Sequence, residues 1–277
     1  MNRFITLLLI ALFWANTAQA QYRPWKYWED KPGTSWLAFE SGATRYAGDM
    51  SEEKDLLKRP RLGATCAVSG LYRFNERMAL RADARGYVIW GMQRDTRVWF
   101  NNLSFAAINP ELCVGVQTHL FPADQRDRVL NPYLFAGLGL TYLNTFTRFA
   151  GKYISLPKQR TENVAYSRVP PVLKLALGHA LLTRYRYRIA AELGYTVVFS
   201  DYLDDVSTVY PDFAELEPLG RALSDRRYAL GIGLAAAQPG DQRGNSVKRD
   251  GYFSLSLRFS RQLGTAEDRL YKRVIGW

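Results

Sequence analysis

Two histidines, two cysteines and one acidic cluster are the residues whose types invite a chemical reading. Nucleophilic catalysis needs a nucleophile and a base in reach of each other. His119 follows Gln117 two positions on, so both project from one side of an extended segment, and Asp83 or Ser69 can approach that side from other segments. His119 is thus the candidate base for an enzyme acting on lipid or peptide, though no nucleophile motif surrounds it or His179. His179 falls on an apolar-rich face, near headgroups if the segment crosses a membrane. By the same alternation Cys66 and Cys113 belong to opposite faces of different segments, which argues against a disulfide. The histidines lack metal-ligand spacing, so no metal or other cofactor is expected. Asp201, Asp204 and Asp205 offer the oxygens that calcium takes, without a complete calcium-loop spacing. Their expected role is to order a long loop by capping turns and pairing with arginines, for which Arg221, Arg226, Arg227 and Arg243 are near in sequence.

The elements that must position these residues show period two. Phe253, Leu255, Leu257 and Phe259 share one face of a segment, and Tyr252, Ser254, Ser256 and Arg258 the other. Similar alternation runs over 35–47, 61–74, 78–92, 103–121, 131–147, 170–184 and 187–201, which with 251–262 makes eight segments. Asn109-Pro110 is expected to interrupt the ladder of its segment or mark a bulge. A ninth apolar stretch, 228–237, does not alternate cleanly. Connections at 75–77, 122–130 and 183–187 are short, whereas those at 48–60, 93–102, 148–169 and 202–250 are longer. Short turns on one rim and long loops on the other predict an all-β, eight-stranded antiparallel up-and-down transmembrane β-barrel, with short periplasmic turns, longer extracellular loops and both termini periplasmic.

The N-terminus supplies an address. Asn2 and Arg3 precede an apolar run over 4–14, and Ala18-Gln19-Ala20 is a small-residue cleavage site, the layout of a secretory signal peptide. The expected organisation is a signal peptide over 1–20, a periplasmic segment over 21–33, the barrel over 34–262 and a basic periplasmic tail over 263–277. Export argues against nucleic acid as the partner of a chain with formal charge +11. The dispersed basic residues suit lumen-filling arginines, acidic lipid headgroups and an acidic protein partner. Alternation alone does not say which face points outward. Arg81, Asp83 and Arg85 share one face, and Lys174 and Glu192 lie on the polar faces of their segments. Such charges can pair inside a narrow barrel, while one facing lipid at the midplane costs roughly 2–4 kcal/mol for Arg or Lys. Bulky Arg81, Arg85, Tyr87, Tyr133 and Phe135 would leave little room for a channel.

The stretch Ser200-Asp201-Tyr202-Leu203-Asp204-Asp205-Val206-Ser207 resembles a signature of the PorG-like outer-membrane barrels of the Bacteroidota. Leu223-Ser224-Asp225-Arg226, Gln242-Arg243-Gly244-Asn245 and Lys248-Arg249-Asp250-Gly251-Tyr252 follow in the family's order. Asn131 to Gly139 looks like the family's fifth strand, and Tyr46-Ala47-Gly48-Asp49-Met50 like its first-loop motif. The resemblance covers about 36–262. It implies an outer-membrane, non-enzymatic component of the type IX protein secretion system that anchors the periplasmic ring of PorK and PorN, or a paralogous structural barrel.

The termini point the same way. Trp25 and Trp28 in the first segment, Arg269, Tyr271, Arg273 and Trp277 in the tail, and Arg184 and Arg186 in a tight turn are the expected partner-binding residues. Aromatic residues and arginines are enriched at binding hot spots, and aromatic residues also form membrane-interface belts.

Overall fold

A computed structural model describes residues 30, 32–51, 61–96, 98–122, 131–184, 186–244 and 249–264. Strands β1 (Ser35–Ala47), β2 (Leu62–Arg73), β3 (Met78–Met92), β4 (Ser104–His119), β5 (Tyr133–Thr141), β8 (Pro171–Arg184), β9 (Tyr187–Val198) and β10 (Gly251–Gly264) pair antiparallel with their neighbours. The order β3-β2-β1-β10-β9-β8-β5-β4 is closed by pairing of β4 with β3, which makes a ring of eight strands without a free edge. Strand β1 pairs with β10 from Ser35 opposite Gly264 to Ala47 opposite Gly251, so both ends of the barrel segment leave from the short-turn rim.

The two faces settle which way the barrel is turned. Outward positions carry leucine, valine and phenylalanine, with Leu112 and Leu138 each 66% exposed and Leu255 61%. Among the described residues of the eight ring strands, the outward-facing arginines, Arg45, Arg184 and Arg261, sit near strand ends. Inward positions carry Glu40, Arg81, Asp83, Arg85, Glu111, Lys174, Glu192 and Arg258, all buried. In water this pattern would be inside out; in hydrocarbon the exposed belt is solvated and the charges pair within. No described helix is long and apolar enough to cross a membrane.

Two sequence expectations need correction. Pro110 does not interrupt its strand: β3 and β4 stay in register from Met78 opposite Thr118 to Met92 opposite Ser104, with Gly86 opposite Pro110. The Pro110 carbonyl accepts from the Tyr142 N–H on the β5 side. In an antiparallel strand a residue's N–H and C=O point the same way, so the missing donor faces the side where β5 departs. The expected fifth segment is two elements. Strand β5 ends at Thr141, and a separate hairpin of β6 (Thr145–Phe149) and β7 (Lys152–Ser155) takes over as β4's neighbour at Ala106 and Ala107. The ninth apolar stretch, 228–237, left out of the eight segments because it does not alternate cleanly, holds no strand, and a single turn of 3-10 helix over Arg227–Leu230 opens it.

Cys66 is exposed on the outer face and Cys113 buried in the lumen, so they form no disulfide with each other. Tyr87 and Tyr252 stack in the lumen at 4.2 Å, beneath an apolar cluster that includes Met50, Leu103, Phe105, Leu203, Val206 and Leu223. That cluster seats the long loops on the barrel. One short helix, α1 (Pro218–Ser224), lies within the last loop.

Candidate functional site

Three polar assemblies fill the barrel from end to end. In the middle, Arg81 on β3 donates from Nε to Asp83 Oδ1 at 2.7 Å, from Nη1 to Glu192 Oε2 at 2.6 Å, and from Nη2 to Glu192 Oε1 at 3.0 Å and Glu40 Oε2 at 3.2 Å. Arg85 donates to Glu40 Oε1 at 2.7 Å, and Lys174 to Asp83 Oδ2 at 3.1 Å. Tyr133 and Tyr252 complete the set by donating to Glu192 and Glu111. Alternation dictates this meeting, because residues of one parity on every strand must face one lumen. Arg81 and Lys174 are fully buried, so the lumen is closely packed at their level.

At the long-loop end, the acidic signature folds the loops onto the barrel. Tyr46 Oη lies 2.6 Å from Asp204 Oδ2 and 2.8 Å from Asp250 Oδ1. Asp204 Oδ1 also accepts from the Val206 N–H, and Asp250 Oδ2 from the Leu203 N–H. Asp205, held at a φ of +68°, accepts from Thr161 Oγ1 at 2.6 Å and Tyr166 Oη at 2.7 Å. Burial pushes Asp205 up to about 6 and Asp201 to about 7; Arg243 opposes the shift at Asp205. Asp204 and Asp250 are raised well above the usual carboxylate range, first by burial and, for Asp204, next by the charge of Asp250.

The pairing of these aspartates with arginines does not occur as the sequence suggests. Arg243 Nη1 donates to Glu162 Oε1 at 2.7 Å and to the backbone carbonyl of Asp205, not to an aspartate carboxylate. Arg226 reaches Ser104 and Thr147, and Arg227 reaches Asn101, so both tie the last loop to the hairpin and the β3–β4 connection. Arg221 lies over the Phe213 ring. Glu162 also accepts from the backbone of Ser207 and Thr208, a partnership no local pattern announced. Tyr46 and Asp250, by contrast, each lie in a segment already singled out by the sequence resemblance.

At the short-turn mouth, Asp30 accepts from Arg73 Nε at 2.8 Å and Nη2 at 2.9 Å, from Trp36 Nε1 at 3.0 Å and from Arg188 Nη2 at 3.1 Å. Burial opposes its ionisation, but Arg188 and Arg73 outweigh this and hold Asp30 down at about 2. Arg188 thus turns inward, whereas Arg184 is exposed and Arg186 half-buried on the rim. Trp25, Trp28, Arg269, Tyr271, Arg273 and Trp277, like the signal peptide, lie outside the described residues.

The histidines stand apart. His119 shares a 3.2 Å hydrogen bond with Gln117 and tilts over the Tyr133 ring at 5.4 Å. Asp83 is engaged by Arg81 and Lys174, and Ser69 Oγ has no hydrogen-bond partner, so among the described residues neither group orients His119. His179 is half-buried on the outer face. No group of three or more metal-binding side chains occurs among the described residues.

A closed eight-stranded ring, apolar outside and lined with paired charges inside, defines a transmembrane β-barrel. Solved structures with a similar fold include Neisserial surface protein A, at 11% identity and a TM-score of 0.40 over 81% of this chain and 95% of that one. OprG from Pseudomonas aeruginosa is 10% identical, with a TM-score of 0.39 over 84% of this chain and 97% of its own. Ail of Yersinia pestis is 11% identical, with a TM-score of 0.36 over 83% and 99%. No family model and no curated protein matches the chain.

Proposed function

We propose that this chain is a non-enzymatic outer-membrane component of a type IX protein secretion system, and that it anchors a periplasmic ring of PorK and PorN to the membrane. The observation that carries the reading is the meeting of Tyr46, Asp204 and Asp250 on one hydroxyl. Those residues come from three separate segments that resemble the PorG-like family, so the resemblance falls on residues with a shared structural job. The packed lumen supports a scaffold rather than a passive channel. Engagement of His119 with Gln117, and of Asp83 with two cations, supports a role without catalytic chemistry.

In this reading the short-turn rim faces the periplasm. Arg184 and Arg186 would then stand beside the terminal segments that carry Trp25, Trp28, Arg269, Tyr271, Arg273 and Trp277. Deleting 265–277 removes the tail and keeps all of β10, including Gly264 opposite Ser35. The expected result is a barrel that still inserts but co-purifies with less PorK and PorN. Undiminished co-purification would remove the tail from the docking face.

A further inference from the structure

The β1–β10 ladder joins the first strand of the ring to the last, so no turn or loop directly links its two members. Closing such a pair costs more chain entropy than closing a hairpin, and nothing local re-forms it once it opens. Its short-turn end, with Ser35 opposite Gly264, is also where both terminal segments leave the barrel. Tension on either terminus therefore falls first on a strand of this seam.

Asp30 spans the seam from inside. The carboxylates deeper in the lumen, Glu40, Asp83, Glu111 and Glu192, belong to strands, whereas Asp30 precedes β1 and is still buried. It pairs with Arg73 on β2 and with Arg188 on β9, the strands that flank the seam on either side. Arg188 crosses the inner face of β10 to reach it. Its ladder partner there is Ser260, whose short side chain leaves the way open. The guanidinium carbon stops 4.7 Å from the centre of the Trp36 ring on β1, and the Trp36 indole donates to the same carboxylate. The Gly33 N–H donates to the Arg73 carbonyl, and the Arg73 N–H to the Thr34 carbonyl, which carries the β1–β2 ladder toward Asp30.

We propose that Asp30 is a clasp that carries tension on the N-terminal segment past the seam to β2 and β9. Chain order sets the sequence of events: a pull on the residues before Asp30 reaches its carboxylate before it reaches Ser35 and the β1–β10 ladder. Charge-assisted bonds to two arginines, one of them through both Nε and Nη2, are the strong kind, and burial strengthens them further. A pull on the C-terminal segment meets β10 directly, because the hydrogen bonds at Asp30 go to β1, β2 and β9. The inference rests on the anchoring reading for the source of tension, a ring held by the terminal segments, but the clasp is tested with no partner present.

The test is constant-force pulling on the full mature chain, refolded into phospholipid bilayers and held by one terminus at a time. Pulled by the N-terminus, Asp30→Asn should shorten the lifetime of the folded barrel at least about tenfold, the equivalent of about 1.4 kcal/mol at the barrier. Asp30→Glu, which keeps the charge, should recover part of that loss. Pulled by the C-terminus, the wild type and both variants should have equal lifetimes. Arg188→Gln removes one partner and leaves Arg73 in place; it should shorten the N-terminal lifetime by a smaller factor, and it replaces Asp30→Asn if that variant does not fold. Folding of each variant is checked by its heat-dependent mobility on a gel. Unchanged N-terminal lifetimes would overturn the proposal by showing that Asp30 carries no tension. Equal shortening from both ends would overturn it too, reducing Asp30 to a general contributor to barrel stability.

Discussion

Asp204 and Asp250 meet on one hydroxyl: Tyr46 Oη lies 2.6 Å from the first and 2.8 Å from the second. A phenol has a single hydrogen, so it donates to one carboxyl and accepts from the other. The trio therefore holds a proton that two ionised carboxylates would not. Both carboxyls are raised well above the usual range, in keeping with that shared proton.

The loop assembly should accordingly respond to pH. Asp205 is raised to about 6 and Asp201 to about 7 from a reference of 3.8. Each binds its proton more tightly folded than unfolded, so their effect on loop stability turns unfavourable as pH rises through about 4 to 7. Limited proteolysis within 199–250 should be faster at about pH 8 than at about pH 5, after correction for the protease's own pH profile. Equal rates would contradict the argument.

Gly48 is where an added side chain would displace the Tyr46–Asp250 pair. A Cβ there would fall within the van der Waals radii of Asp250 Oδ1 and the Tyr46 hydroxyl. Gly48→Ala should separate that pair at a cost of about 1–3 kcal/mol, the usual penalty for leaving a buried polar group without its partner. Hydrogen exchange at the Leu203 and Val206 amides, which depend on Asp250 and Asp204, should accelerate while exchange in the strands stays slow.

In the lumen, Arg81→Met would strip Asp83 and Glu192 of their principal cation. Uncompensated buried carboxylates should make the barrel about 3–5 kcal/mol less stable. Urea-induced unfolding from phospholipid vesicles measures this. Combining Arg81→Met with Glu192→Gln should recover part of the loss, since the two groups are directly paired.

The outer face gives a separate check. Leu138 lies on β5, flanked by Val114 and Leu173, and is 66% exposed. Leu138→Arg should cost roughly 2–4 kcal/mol in the same vesicle assay, as for a charge facing the bilayer midplane. A neutral effect would mean that this face does not meet hydrocarbon.

Much of the barrel was legible because its physics is local. Alternation puts Phe253 and Leu255 on one face and Ser254 and Ser256 on the other without knowledge of any partner strand. The choice between lipid and lumen then rests on the loop lengths, the signal peptide and the mid-strand charges. Loop lengths then give the order of the meander. The β6–β7 hairpin escaped because Tyr142 to Asn144 separates two alternating runs that read as one, and its turn is an Ala150-Gly151 pair at positive φ. The loop signature was visible as a motif, but its partners were not. Glu162, Thr161 and Tyr166 reach Arg243 and Asp205 from a different loop, a choice set by how the loops pack over the barrel mouth. Asp30 was invisible for the same reason, since its partners Arg73 and Arg188 lie on β2 and β9.

The most direct test of the proposed role is a mild-detergent pull-down of the tagged mature protein from its native outer membranes, with every retained protein identified by mass spectrometry. The expected result is recovery of PorK and PorN together with the barrel. Recovery of the barrel alone, under conditions that keep the PorK–PorN ring intact, would contradict the anchoring role.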